Sequence, residues 1–222
     1  MPITAATLLL ADGRFPAGGH AQSAGVESAV RLGDVRDLVT LERYLHGRLS
    51  TTGVVEAAFA AAASVAVVED LDVLAIELDA RLVAPRSREI SRRLGRQMLR
   101  ASRVAWPSTR LDHLATSAGG PHQPIVLGVV AAESGGGAHD AATLVLHHLA
   151  AAVTSSAVRL LALDPIAVLA LQVRALPIIG ALAADAGQWS TLAPADLPAL
   201  GGALTEILAQ DHASWDARLF VA

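Results

Sequence analysis

The chain contains no cysteine and no lysine; all 17 of its Lys+Arg positions are arginine. Without cysteine there is no disulfide framework, no thiol nucleophile and no zinc–thiolate site. Without lysine there is no Schiff-base chemistry. There is also no P-loop, whose lysine contacts nucleotide phosphates, so the chain is not itself a P-loop NTPase. Aromatic residues are only 3% of the sequence. No alternating strand pattern persists, no repeat of fixed period recurs, and no domain linker stands out. The formal net charge of −4 argues against a general nucleic-acid binder. The start lacks the charged region and small-residue cleavage pattern of a signal peptide, so a cytoplasmic protein is expected. The stretch 141–158 carries no Asp, Glu or Arg but includes His147, His148, Thr154, Ser155 and Ser156. That pattern suits a buried core helix and not a membrane span.

What is abundant is alanine, leucine and valine, and 53% of the 222 residues are hydrophobic. Alanine and leucine are strong helix formers, and small alanines let helices approach closely. The expected fold is all-α: one multi-helix bundle over residues 1–222, with mostly short loops and a C-terminal tail from 211. The apolar surplus implies surface buried against another subunit. Helices are expected at 4–11, 23–31, from a cap at Asp34 through Leu49, at 54–68, at 71–82 and at 86–105. Others are expected at 124–133, 139–163, 166–184 with a break or kink at Pro177, and 197–210.

The N-terminal segment departs from this plain pattern. An apolar run, Leu8 to Leu10, ends at Asp12; a loop with Gly13, Pro16, Gly18, Gly19 and His20 follows, and a helix restarts near Ser23, Gly25, Val26 and Glu27. Pro16 fixes its own φ, and the glycine pair permits positive φ or close backbone approach. Taken alone, this is a helix–loop–helix corner.

Residues 86–105 form a second distinctive segment. At helical spacing, Ile90, Leu94, Met98, Ala101 and Ala105 share one stripe, while Glu89, Arg92, Arg93, Arg96, Arg100 and Arg103 fall on the opposite half. With Arg86 and Arg88, seven of the 17 arginines lie here. Such a face is either solvated or a docking surface for an acidic partner, since guanidinium groups bind carboxylates bidentately. Gly95 costs about 1 kcal/mol relative to alanine inside a helix, which implies a close contact on its side.

The eight histidines have no chelating i,i+4 spacing; His147 and His148 are adjacent and point apart. No G-x-S-x-G elbow is present, and Glu69, Asp70 and Asp72 read as helix caps. No constellation resembles an active site, so a binding role is expected and no catalytic or metal-ligating residue is assigned. Two alternatives stand beside it: a small metal-dependent helical enzyme using His20, His122 and His147, and a helical adaptor of another kind.

Taken together, these landmarks resemble the urease accessory protein UreF family. The N-terminal pattern matches at Leu8 to Leu10, Asp12, Pro16, Gly18, Ser23, Gly25, Val26 and Glu27. The arginine-rich helix matches at Arg88-Glu89-Ile90-Ser91-Arg92-Arg93-Leu94-Gly95-Arg96. Further matches are His122, Ile125, Val126 and Gly128; Val158-Arg159-Leu160; and His212 with the Arg218-Leu219-Phe220 ending. Two departures are Gly19-His20-Ala21-Gln22, where the family has an aromatic and Ser-His-Ser, and Asp164-Pro165, where it has Gly-Gln. The resemblance implies an all-α, non-enzymatic scaffold that forms a homodimer. It would join UreD (also called UreH) and the GTPase UreG on apo-urease, govern the GTPase, and deliver nickel through the complex without binding a cofactor tightly. It also implies partner contacts at Arg86, Arg88, Glu89, Arg92 and Arg96. The tail, with Trp215, Arg218, Leu219 and Phe220, would be ordered by UreD.

Overall fold

A computed structural model describes residues 4–16, 22–212, 214, 215, 219 and 220. Among them there is no strand, and the chain is a single-domain helical bundle. The helices are α1 (Ala5–Ala11), α2 (Val26–Arg31), α3 (Leu38–Arg48), α4 (Val54–Val65), α5 (Val68–Arg81) and α6 (Pro85–Ala105). They continue as α7 (Thr109–Leu114), α8 (Gln123–Glu133), α9 (Ala138–Leu161), α10 (Pro165–Trp189) and α11 (Ala203–His212).

Helix starts follow local chemistry. Thr4 caps α1 by accepting from the Thr7 amide. Asp37, and not Asp34, caps α3: its carboxylate accepts from the Thr40 amide at 2.8 Å while the Thr40 hydroxyl turns back to the Asp37 amide. Asp164 caps α10 through the Ile166 amide, with Pro165 in the first turn. The α2 helix begins at Val26, later than expected, because Gly25 before it has φ of +82°. A side chain there would also stand 2.6 Å from the Tyr44 hydroxyl, so only glycine serves.

Alanine-rich α4 runs through the centre and packs against α8, α9 and α10. Residues Ala57 to Ser64 are all buried. The closest approach is at Gly128 of α8, where a Cβ would lie 2.2 Å from the Ala60 carbonyl oxygen. On one side of α4, Phe59 packs with Leu74, Leu78, Met98, Leu111 and Ile125. On the other, Ala57 and Ala61 pack with Leu45, Leu146, Val153, Leu171 and Ala183. A single π-helical stretch, Leu49–Gly53, joins α3 to α4 without a loop.

Two further expectations are corrected. Pro177 does not end its helix: α10 continues from Pro165 to Trp189. Pro177 and Val173 are both exposed, so water can take the Val173 carbonyl that proline leaves without a donor. Residues 109–114, unassigned from the sequence, form α7, capped by Ser108. The α9 and α10 helices are long and apolar enough to cross a membrane by length and composition. The most apolar stretch of α9 is half buried inside the bundle. The α10 helix keeps Leu169, Val173 and Leu176 more than half exposed, in line with Ile166.

Candidate functional site

Three of the distant sequence landmarks meet at one place. Glu27, in the first turn of α2, is buried, and its carboxylate accepts three hydrogen bonds from described residues. The His212 Nε2 donates at 2.8 Å, the Leu219 amide at 2.7 Å and the Phe220 amide at 3.1 Å. The Phe220 ring is buried beneath the Arg159 guanidinium, which lies 4.4 Å from its centroid. Arg31 stacks over Trp215 at 4.0 Å, and Trp215 in turn contacts the His212 ring. The tail expected to await a partner therefore packs on its own chain at Trp215 and Phe220. Leu219 alone of these three points outward.

Next to this junction lies a cavity of about 550 Å³, lined among others by Phe15, Arg48, Glu56, His147 and His212. Burial pushes the Glu56 carboxyl above its usual range; Arg48 opposes that shift and Glu206 adds to it. Glu206 accepts from the Ala84 amide at 2.7 Å, which caps the start of α6. His148 donates from Nε2 to the Leu10 carbonyl at 2.9 Å, and burial lowers it to about 4.

The arginine-rich helix is engaged in a different way from the expected outward face. Arg88 donates to the Leu82 and Val83 carbonyls at the end of α5. Arg92 turns inward, pairing with Asp79 and donating to the Ala118 and Gly120 carbonyls. Arg86 pairs with Glu89 at 2.7 Å, and Arg96 donates to the Gly119 carbonyl. Arg88 and Arg92 thus hold the α5 end and the 118–120 loop, because each faces a cluster of unpaired carbonyls. Gly95 supplies the close contact its position implied: a Cβ there would lie 2.0 Å from the Pro121 carbonyl oxygen.

Buried His122 sits at the same junction, with Nε2 3.0 Å from Asp79 and Nδ1 3.0 Å from the Ser91 hydroxyl. The carboxylate fixes the tautomer, so Nε2–H donates and Nδ1 accepts from Ser91. The order Ser–His–Asp resembles a hydrolytic triad, but the electrostatics oppose that chemistry. Burial and the neighbouring Arg92 lower His122 to about 4, leaving it a weak base, and Arg92 neutralises the carboxylate that would stabilise an imidazolium. His122 thus uses Nε2 on Asp79 and Nδ1 on the Ser91 hydroxyl, both within the α5–α6 junction. Among the described residues no three His, Asp or Glu side chains could share a metal ion.

Of the remaining landmark residues, Asp12 ends α1, and Arg14 holds its carboxyl down at about 2. Pro16 is exposed and Ser23 buried. Gly18, Gly19, His20 and Arg218 lie outside the described residues. No motif or spacing marked Asp79 or Glu206, because both act between elements: Asp79 on Arg92 and His122, Glu206 on the Ala84 amide.

A family model for UreF matches residues 35–176. The urease accessory protein UreF of Mycobacterium sp. (strain JLS) is 40% identical over 222 residues, 99% of each chain. Those of Mycolicibacterium vanbaalenii and Mycobacterium tuberculosis are each 37% identical over 228 residues, the full length of both chains. A match spanning the whole chain at this identity, on an all-helical frame that joins the family's separated landmarks, means that this chain belongs to the UreF family of urease accessory proteins.

Proposed function

We propose that this chain is a cytoplasmic, non-enzymatic scaffold for nickel insertion into urease. In this reading it dimerises, joins UreD (UreH) and the GTPase UreG on apo-urease, and governs the GTPase. Nickel is cargo of the complex, and the chain holds no cofactor of its own. The observation that carries this reading is the full-length similarity to proteins named urease accessory protein UreF.

Two features of the surface support it. The Ile166, Leu169, Val173 and Leu176 stripe of α10 repeats at three- and four-residue steps, the spacing by which one helix packs on a copy of itself. The Glu27–His212–Phe220 junction leaves Leu219 exposed at its rim, where the expected contact with UreD would fall. The test is a clean deletion in the source organism. Urease polypeptide should accumulate with little nickel and little activity, and full activity in the deletion would overturn the reading.

A further inference from the structure

We infer that the outer ridge of α6, centred on Arg93, Arg96 and Arg100, is the landing site for an acidic, partly apolar segment of a protein partner. The inference rests on the scaffold reading above and names the chemistry of one of its contacts.

The α6 helix carries seven arginines against one glutamate in a chain whose net charge is −4. Subtracting the inward arginines sharpens the picture. Arg88 and Arg92 bind carbonyls and Asp79. At the two ends of the ridge the acids are already held, Glu89 by Arg86 and Asp112 by Arg103. Arg93, Arg96 and Arg100, spaced i, i+3, i+7 over about 10 Å of helix, have no carboxylate in an ion pair with them among the described residues, and Arg96 spends one N–H on the Gly119 carbonyl. Like charges at this spacing destabilise a helix by a few tenths of a kcal/mol per pair. The half-buried Arg93 registers that crowding: burial and the cations of Arg86 and Arg96 hold it below the usual arginine range, against Glu89.

The ridge borders an open groove of about 660 Å³ between the second half of α6 and the 112–121 segment. Its lining includes Val104, which is 83% exposed, the buried Leu99 and Pro121 beneath it, and Asp112, held by Arg103. Cations beside an apolar floor match carboxylates beside an aliphatic side chain. A nucleic-acid backbone would engage the arginines but has no aliphatic side chain to place on Val104.

The experiment uses the full chain and three fluorescein-labelled probes of equal charge: a Glu/Leu peptide, an all-Glu peptide and a short DNA duplex. Fluorescence anisotropy is read at 50 and 300 mM salt. The Glu/Leu peptide should bind most tightly and weaken at least tenfold with salt. Arg93→Glu combined with Arg100→Glu should weaken it at least tenfold, while Arg43→Glu on α3 should leave it within twofold. Unchanged binding by the double variant, or tighter binding of the duplex, overturns the inference. Co-purification provides the second arm, in cells producing the urease-maturation proteins. Loss of one maturation protein with the double variant supports the ridge as its docking site. Retention of all of them overturns the ridge and leaves the scaffold reading intact. If instead the clean deletion leaves urease nickel-loaded, the scaffold reading fails while the peptide titration still decides the ridge.

Discussion

Glu27 accepts a hydrogen bond from the backbone amide of Phe220, 193 residues further along the chain, at 3.1 Å. The same carboxylate holds Leu219 and His212, so one side chain fixes the C-terminal end against α2. Glu27→Gln keeps the shape but replaces a charged acceptor with one neutral oxygen and adds a donor facing donors. The expected loss is about 2 kcal/mol, concentrated in the tail. Limited proteolysis should cut near the C-terminus faster in the variant, while helicity by circular dichroism stays unchanged. Equal cleavage rates would show that Phe220 and Arg159 hold the tail without Glu27.

Gly95 and Gly47 both lie inside helices, yet alanine should act on them in opposite directions. At Gly95 the new Cβ meets the Pro121 carbonyl, a backbone atom that cannot swing aside. Gly95→Ala is expected to cost about 3 kcal/mol. For a chain of this size that lowers Tm by about 6–12 °C. At Gly47 nothing stands within 4 Å, so Gly47→Ala gains helix propensity of about 1 kcal/mol and raises Tm by a few degrees. Thermal melts of the two variants against the parent check both signs.

Legibility followed the range of each interaction. Helix class, the α6 apolar stripe at Leu94 and Met98, and the need for glycine at Gly95 depend on spacing within one segment, and all were readable. The cap at Asp37 was displaced to Asp34 in the sequence because both are short acids near the helix start. The choice between them lies in the Thr40 hydroxyl, which completes the box only from Asp37. Arg92 read as part of the outward face because it lies nearly opposite the Ile90–Leu94–Met98 stripe; the face that is buried includes Gly95, Leu99 and Ser102 and is turned toward Arg92. Its actual partner, Asp79, sits on a different helix 13 residues earlier, and helical periodicity carries no information about that pairing. The convergence of Glu27, Arg159 and Phe220 is likewise tertiary. Separate motifs in the chain gave the residues but not their meeting.

The α10 stripe yields a prediction about assembly. Leu169, Val173 and Leu176 are each more than half exposed, an arrangement that water disfavours on a lone helix face. A charge at the centre of a self-paired stripe meets its own symmetry copy, so one substitution introduces two like charges into one interface. Leu169→Glu with Leu176→Glu should convert a dimer to a monomer by light scattering at micromolar concentration, with unchanged circular dichroism. An unaltered mass would show that this stripe is not a subunit contact.

Acid should loosen the fold through His122 and His148. Both are held near 4 in the folded chain against an ordinary 6.5, mainly by burial. Between those values the unfolded chain binds protons that the folded chain refuses, so stability is full above about pH 6.5 and falls as pH drops toward 4. At pH 5.5 each histidine costs about 1.4 kcal/mol relative to neutral pH. Together they imply a Tm lower by about 6–10 °C. Glu56 runs the other way: its carboxyl is raised by burial, so the folded chain keeps that proton longer and recovers part of the loss on acidification. His148→Gln retains a donor for the Leu10 carbonyl but removes a titrating group. Melting curves at pH 7.5 and 5.5 should show the acid-induced drop shrinking by about 3–5 °C in this variant. A drop equal to the parent's would mean that His148 takes up its proton without leaving the folded state.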